Sequence, residues 1–313
     1  MNILFILDPL DSIKTYKDTS YAMMQAAVSR GHGLGVMQQE NLIWKNGNVI
    51  CYTQNLELTA DDKQWYRVGE RRAGSLTDFD CVVMRKDPPF DMEYVYSTYL
   101  LELGEREGAR IFNRPGAIRD FNEKLSIARF SEFIAPTLVT REESLIREFA
   151  DEHGDIILKP LDGMGGASIF RLQRDDPNLG VVIETLTFLG QRTIMAQRFI
   201  PEISDGDKRV LVIDGEPVPF TLARFPKKGE NRGNLAAGGR GVAMPITPRE
   251  REIAEALGPE LKAQGLLLVG LDMIGGYLTE VNVTSPTCMR EIHDQADCNV
   301  AALFVDALER KVA

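Results

Sequence analysis

The chain has 313 residues, of which 44% are hydrophobic and 26% are charged, and its formal net charge at neutral pH is −10. This balance is ordinary for a globular protein, and the length allows a sizeable core in two or three domains. The excess of acidic residues argues against nucleic acid as the main partner, because a phosphate backbone requires a basic surface.

The four cysteines are scattered, with no Cys-x-x-Cys pair, and the three histidines lie far apart. This pattern predicts reduced thiols and no zinc site. The apolar run at 2–7 has no basic flank and is too short for a signal peptide, and no later run is long enough to cross a membrane. We therefore expect a cytoplasmic protein that binds neither nucleic acid nor membrane.

The first 121 residues alternate strand and helix patterns. Strands are predicted at 2–7, 34–38 and 80–85, and helices at 19–30 and 91–107, with Thr19 or Ser20 as the first N-cap. Asn46 and Gly47 predict a hairpin in a small antiparallel insertion. The alternation predicts an α/β domain with an open, mostly parallel sheet covered by helices.

Ligands of open α/β sheets bind beyond the carboxyl ends of the strands. That edge would carry Asp18, Thr19, Ser20 and the segment 85–90. Solvated charge after a strand is an alternative interpretation of Arg85 and Lys86. Residues 123–130 then begin a helix after the first domain.

A glycine-rich hairpin follows the helix that we predict from a capping box at Thr140–Glu143 to about His153. The run 155–170 contains two apolar stretches that flank three glycines at 163, 165 and 166, with Lys159 at the end of the first stretch. Glycines let backbone N–H groups approach an anion closely, and a lysine neutralises phosphate as a point charge. We interpret this hairpin as a polyphosphate flap, although its glycines would also suit an ordinary tight turn.

Two further segments complete the predicted nucleotide site. After a helix at 177–188 and a strand at 192–197, the backbone of residues 198–200 is expected to read the adenine edge, and Asp207 to accept from ribose hydroxyls. Strands at 208–213 and 217–223 flank the hairpin pair Asp214-Gly215. The basic, glycine-rich segment 224–241 is interpreted as a cationic lid over an anionic substrate, with a disordered loop as the alternative.

A metal site is predicted on the last strand pair. A second capping box at Thr247–Glu250 opens a helix to about 264, and strands at 266–274 and 277–283 join at Gly275-Gly276. Side chains alternate along a strand, so Glu280 and Asn282 share one face. Asp272 joins them if it pairs with Glu280, for which we expect an odd-length connection such as 275–277. Two carboxylates and an amide, completed by nucleotide phosphates, suit magnesium.

These patterns together resemble the ATP-grasp fold. The segments MRKDPPFD (84–91), ILKPLDGMGGAS (157–168), RGNLAAGGR (232–240) and EVNVTSPT (280–287) resemble those of bacterial glutathione synthetases over essentially the whole chain. The resemblance implies an ATP-grasp enzyme with an N-terminal α/β domain at 1–121, a central subdomain at 122–203, and a C-terminal subdomain at 204–313 whose lid covers 225–241.

The implied reaction joins γ-glutamylcysteine to glycine with ATP, through an acyl phosphate, using magnesium or alternatively manganese. The resemblance implies catalytic roles for Arg209, Arg224, Arg232, Gly239 and Arg240, and metal binding by Asp272, Glu280 and Asn282. It implies ATP contacts from Lys124, Lys159, Asp162, Gly163, Gly165, Gly166, Gln197, Arg198, Phe199, Ile200 and Asp207. It implies substrate contacts from Asp18, Ser20, Arg85, Asn282, Ser285, Pro286 and Thr287, and a homo-oligomer, specifically a tetramer.

Two alternatives stay open at this point. The chain could be another carboxylate–amine ligase of the same fold, of the D-alanine:D-alanine or peptide-tail type, because a fold does not fix the acceptor. It could also be a nucleotide-binding regulator without turnover. The cationic lid disfavours the regulator, since a sensor needs no cover that excludes water. Cys288, beside the predicted substrate pocket, is expected to be a buried packing residue.

Overall fold

The protein is described here by a computed structural model that covers residues 1–61, 64–227, 229, 233, 235 and 238–313. Its strands form three separate sheets that follow one another along the chain. Within the described residues, no helix combines the length and apolar character that a membrane span requires.

The first sheet has eight strands: β1 (Asn2–Ile6), β2 (Gly33–Met37), β3 (Leu42–Lys45), β4 (Asn48–Leu58), β5 (Tyr66–Val68), β6 (Arg72–Gly74), β7 (Cys81–Met84) and β8 (Ile111–Phe112). Strands β2, β1, β7 and β8 are parallel neighbours in that order. Strand β4 pairs antiparallel with β2, and β3, β5 and β6 each pair antiparallel with β4. Asn46 and Gly47 both have positive φ in the β3–β4 turn. The predicted parallel sheet and hairpin insertion are therefore confirmed.

Helices α1 (Thr19–Ser29), α2 (Met92–Arg106) and α3 (Pro115–Asp120) accompany this sheet. The predicted N-cap of α1 was wrong, because Asp18 caps the helix and accepts a hydrogen bond from the Tyr21 N–H at 2.7 Å. Thr19 and Ser20 use their hydroxyls elsewhere, as acceptors from the Met289 N–H and from Arg85 Nε. The helix predicted at 123–130 is instead a 3₁₀ segment, Leu125–Phe133, that is broken at Phe130.

The second sheet contains β9 (Thr137–Thr140), β10 (Asp155–Pro160), β11 (Phe170–Gln173) and β12 (Ile194–Arg198), all antiparallel in the order β11-β10-β12-β9. Helices α4 (Glu143–His153) and α5 (Leu179–Thr187) pack on it. The predicted capping box of α4 is absent, because Thr140 belongs to β9 and its hydroxyl bonds the Glu142 N–H. Sheet pairing thus takes precedence over the local capping signal.

The third sheet contains β13 (Asp207–Ile213), β14 (Glu216–Phe225), β15 (Arg240–Pro245), β16 (Leu268–Ile274) and β17 (Tyr277–Asn282), in the order β15-β14-β13-β16-β17. Helix α6 (Pro248–Ala263) carries the predicted capping box of Thr247 and Glu250. Helices α7 (Met289–Gln295) and α8 (Val300–Val312) follow. The Asp214-Gly215 hairpin is confirmed by positive φ at both residues.

One hydrophobic core joins the first and third sheets. Helix α8 supplies Phe304 and Leu308 to a cluster that also contains β1 and β13 side chains such as Phe5 and Leu211. Arg30 of α1 forms ion pairs with Asp306 and Glu309 of α8. The C-terminal helix therefore packs on the N-terminal sheet, and the domain boundaries inferred from the sequence stay a prediction.

Candidate active site

Two cavities meet at Glu280, between the second and third sheets. The first cavity, about 90 Å³, is lined by Ile157, Lys159, Ile169, Gln197, Arg198, Phe199, Ile200, Ile203, Asp207, Gly233, Ile274, Thr279 and Glu280. The second cavity, about 200 Å³, is lined by Asp87, Pro88, Glu123, Met164, Gly165, Arg209, Arg224, Leu235, Glu280, Asn282, Thr284, Ser285, Thr287 and Cys288. The structure thus brings together most residues that the sequence singled out.

Lys159 is the buried cation of the first cavity. It lies on β10 with 5% of its surface exposed, and its ammonium donates to Gln197 Oε1 at 3.4 Å and to the Thr279 carbonyl at 3.5 Å. Burial lowers the pKa of Lys159, although the charge of Glu280 opposes that effect. With such long hydrogen bonds to neutral acceptors, this ammonium is free to bind an anion that enters the cavity.

The apolar walls of the first cavity come from two sheets. Ile157 of β10 and Ile274 of β16 face it, together with Phe199 and Ile200 at the end of β12. Arg171 stacks its guanidinium 3.6 Å from the centre of the Phe199 ring, which holds the ring in place. A flat slot between apolar side chains suits a planar aromatic base.

Asp207 adds an unpaired acceptor to this slot. Its Oδ1 is buried and has no hydrogen-bond partner among the described residues, while its Oδ2 lies 2.6 Å from Arg224 Nη2. Burial raises the pKa of Asp207 to about 6, in spite of the Arg224 charge. A buried acceptor without a partner is costly, so this oxygen is suited to a ligand hydroxyl.

Ion pairs dominate the second cavity. Arg209 donates two hydrogen bonds of 2.7 Å to the Asp272 carboxylate, from Nε and from Nη2. Arg224 Nη2 lies 2.9 Å from Asp272 Oδ2. Burial would raise the pKa of Asp272, but the two arginines outweigh it and bring the pKa down to about 2. Asp207, Arg224, Asp272 and Arg209 therefore form one buried network of alternating charge.

The predicted pairing of Asp272 with Glu280 is confirmed, but the predicted odd-length connection between the two strands is not what produces it. Strands β16 and β17 are joined by the two-residue turn Gly275-Gly276, and the ladder shifts by one residue between Met273 and Asp272. Thr279 is the extra residue of this bulge, and its hydroxyl bonds the Asp272 carbonyl at 3.0 Å. The bulge, and not an odd-length connection, brings both carboxylates to one face.

Lys124 connects the glycine-rich hairpin to β17, the strand of the predicted metal ligands Glu280 and Asn282. Its ammonium bonds Glu123 and the Gly163 carbonyl and lies 3.7 Å from Glu280 Oε1. Burial alone would lower the pKa of Lys124, but Glu280 and Glu123 outweigh it and raise the pKa. The charge of Lys124 thus lies between the two cavities.

The predicted substrate residues divide into two groups. Asn282, Ser285 and Thr287 line the second cavity. Arg85 is instead buried, with only 4% of its surface exposed. Its guanidinium donates to Ser20 Oγ at 3.0 Å and to the Pro286 carbonyl at 2.9 Å. The solvated-charge interpretation of Arg85 is therefore wrong, and these three residues form an interface between the first and third sheets.

Other predicted residues lie at the rim. Asp162 pairs with Arg192, which lowers the pKa of the Asp162 carboxyl. Arg240 begins β15 with its guanidinium 5.5 Å from the centre of the Phe225 ring. A Cβ on Gly239 would lie 2.3 Å from the Gly233 carbonyl oxygen, so the lid base is tightly packed there. Arg232 and lid residues 228, 230, 231, 234, 236 and 237 lie outside the described residues.

Sequence reasoning missed several residues that the structure places here, such as Ile203 and Thr279, and two others are informative. Glu123 lines the second cavity, and burial raises the pKa of its carboxyl. An acidic residue beside a lysine gives no local signal of burial. Asn113 is the second. It follows β8 of the first sheet, and its side chain donates hydrogen bonds to the carbonyls of Leu268 and Val283, at the third sheet. Cys288 is buried, as expected for a packing residue, and all four cysteines are free.

Comparison with known sequences identifies the family. Residues 1–119 match the N-terminal domain of prokaryotic glutathione synthetase, and residues 123–297 match the ATP-grasp domain of the same enzyme. The chain belongs to the prokaryotic glutathione synthetase family. It is 61% identical to glutathione synthetase of Nitrosomonas europaea, and the alignment covers 100% of this chain and 99% of that protein. It is 60% identical to that of Ralstonia nicotianae, over 99% and 96% of the two chains.

Solved structures agree on the ATP-grasp fold of this glutathione synthetase family member. The D-cycloserine synthetase DcsG superposes with a TM-score of 0.70 at 16% identity and covers 99% of this chain and 100% of its own. The ATP-grasp ligase PsnB, solved with a precursor peptide and AMPPNP, gives a TM-score of 0.63 at 18% identity, over 99% and 97%. The predicted fold class is therefore confirmed.

Proposed function

We propose that the chain joins γ-glutamylcysteine to glycine at the expense of ATP, releasing glutathione, ADP and phosphate. The observation that supports this most directly is the pair of cavities that meet at Glu280, one with a slot for a base and one lined by arginines. A nucleotide in the first cavity would present its terminal phosphate to an acid in the second. Membership of the glutathione synthetase family supports the choice of substrates.

The nucleotide is assigned to the first cavity. The base would lie between the apolar side chains beside Phe199, with the backbone of 198–200 along its edge, and a ribose hydroxyl would donate to Asp207 Oδ1. Lys159 and Lys124 would bind the phosphates, and Gly165 of the flap would approach them from the second cavity. Asp162, Gly163 and Gly166 would support the flap.

A divalent cation is assigned to Asp272, Glu280 and Asn282. Carboxylate and amide oxygens on one strand face are the donors that magnesium prefers, and manganese accepts the same set. The described residues hold no group of three His, Cys, Asp or Glu side chains that could bind a metal ion. The proposed site has two carboxylates and an amide, and nucleotide phosphates would complete its shell. When bound, the cation would neutralise charge that develops on the transferred phosphoryl group.

Arginines would carry the transfer step. A carboxylate resists attack by an amine, whereas an acyl phosphate has a good leaving group, so the γ-phosphoryl group is first passed to the γ-glutamylcysteine carboxylate. Arg209 and Arg224 would stabilise the negative charge that spreads over the transferred group. The lid, with Arg232, Gly239 and Arg240, would exclude water from the acyl phosphate until the glycine amine attacks.

The deciding experiment measures ADP release by the full chain with ATP, magnesium and γ-glutamylcysteine, with and without glycine. Glycine-dependent ADP release together with glutathione formation is the expected result. Release that depends on other amines but not on glycine would indicate a different carboxylate–amine ligase. No release under any condition would indicate a nucleotide-binding regulator.

We also infer a cytoplasmic location and a homo-oligomer. All four cysteines are free and buried, which suits a reducing compartment. The tetramer rests on the family resemblance alone, and light scattering of the purified protein measures it.

A further inference from the structure

Asn113 follows β8 of the first sheet, yet its side chain bonds the third sheet. Its Nδ2 donates to the carbonyls of Leu268 and Val283, each at 2.8 Å, and its Oδ1 accepts from the Leu268 N–H at 2.9 Å. The residue is 6% exposed, so water does not replace these bonds. The amide thus uses both of its ends on the strands that carry the metal-site residues.

The position of these bonds is informative. The β16–β17 ladder ends at the pair Gly270 and Asn282. Leu268 of β16 lies beyond this pair, and its backbone N–H and carbonyl bond the Asn113 side chain and not β17. Asn113 exchanges two hydrogen bonds with Leu268, as a residue of a neighbouring antiparallel strand would. The side-chain amide therefore occupies the place of the next backbone pair and ends the ladder there.

Chain 283–287 diverges from β16 at this point and enters the second cavity. Its Ser285 hydroxyl bonds the Arg85 carbonyl at 3.3 Å, and Pro286 lies over Gly270, where an added Cβ would be 3.0 Å from Pro286 Cβ. Asn113, Arg85, Thr284 and Pro286 also line one small cavity between the first and third sheets. The path of this segment is thus set by the first sheet.

We propose that Asn113 is a positioning residue for the donor dipeptide: it splits β17 from β16 so that 283–287 presents Ser285 and Thr287 to the second cavity. This inference rests on the proposed function for the identity of the dipeptide. The first cavity is not part of this inference, because the hydrogen-bond partners of Asn113, Leu268 and Val283, do not line it.

Asn113→Asp is the sharpest test, because the side chain keeps its size and its acceptor for the Leu268 N–H but loses both donors to the carbonyls. We expect the KM for γ-glutamylcysteine to rise at least tenfold, with the Kd for ATP, measured by calorimetry, changed less than twofold. Amide hydrogen exchange at 284–287 should accelerate at least tenfold, while exchange at 157–160 stays unchanged. If this variant does not fold, Asn113→Ser, which retains one hydroxyl, is judged by the same criteria.

The matched control is Arg30→Ala, which removes another contact to the C-terminal part of the chain, with Asp306 and Glu309; none of these three residues lines the second cavity. It should lower the melting temperature without changing the KM for γ-glutamylcysteine. An equal rise in that KM in the control would overturn the proposal, as would unchanged exchange at 284–287 in Asn113→Asp. If the wild-type protein shows no glycine-dependent turnover, the proposed function fails, and the exchange result alone still decides the role of Asn113.

Discussion

The first and second cavities share Glu280 but are held together in different ways. The first is walled mainly by apolar side chains such as Ile157, Phe199 and Ile274. The second is lined by Arg209 and Arg224, which belong to a buried ion network with Asp272 and with Asp207 of the first cavity. Trimming an apolar side chain of a wall leaves no charge behind, whereas removing one member of a buried ion network leaves an uncompensated charge. The two cavities should therefore respond differently to substitution.

The largest expected effect is on turnover in Arg209→Ala. The guanidinium is predicted to stabilise the transferred phosphoryl group, so kcat should fall by roughly 100-fold or more, while the Kd for ATP changes only a few fold. Steady-state kinetics and calorimetry measure the two quantities. Turnover equal to that of the wild type would remove Arg209 from the catalytic residues.

Asp272→Asn should give the largest loss of stability. It leaves Arg209 without its buried partner, so we expect the free energy of unfolding to drop by about 3 kcal/mol. Glu280→Gln is the matched variant, because Glu280 is partly exposed and its nearest cation is 3.7 Å away; its loss should stay below about 1 kcal/mol. Urea unfolding of both variants measures the difference, and equal losses would contradict the importance of the buried ion network.

Asp207 predicts a pH dependence of stability. Its pKa is about 6 in the folded protein and 3.8 ordinarily, so between these values the folded state binds a proton that the unfolded state does not. Lowering the pH from 7 to 4 should therefore stabilise the wild type relative to Asp207→Asn, by at most about 3 kcal/mol. Unfolding measured across this window would contradict the prediction if the difference between the two proteins stayed constant.

The smallest expected effect is on ATP binding in the first cavity, beside the Phe199 ring. Arg171→Ala removes the cation above the Phe199 ring, and because the ring keeps its other contacts, the Kd for ATP should rise only about two- to fivefold. Turnover at saturating ATP should not change. A larger effect on kcat than on ATP binding would show that the first cavity also takes part in the transfer step.

Part of the site was predictable because its signals are local. The glycines at 163, 165 and 166 and the turn pairs Asn46-Gly47 and Asp214-Gly215 act over a few residues, where the neighbouring chain decides the conformation. The alternation that places Glu280 and Asn282 on one face is likewise a property of strands. Arg85 and Asn113 were not predictable in this way, because their partners lie 65 to 201 residues away in sequence.

By itself, the sequence determined the fold class, the glycine-rich hairpin, the common face of Glu280 and Asn282, and the family. Only the tertiary structure decided that Asp18 caps α1, that Thr140 joins a strand instead of a capping box, and that a bulge at Thr279 sets the metal-site register. It also decided which charges are buried against each other. The reason is physical: turn and strand preferences act between neighbours, whereas burial and hydrogen-bond partners depend on which distant segments pack together.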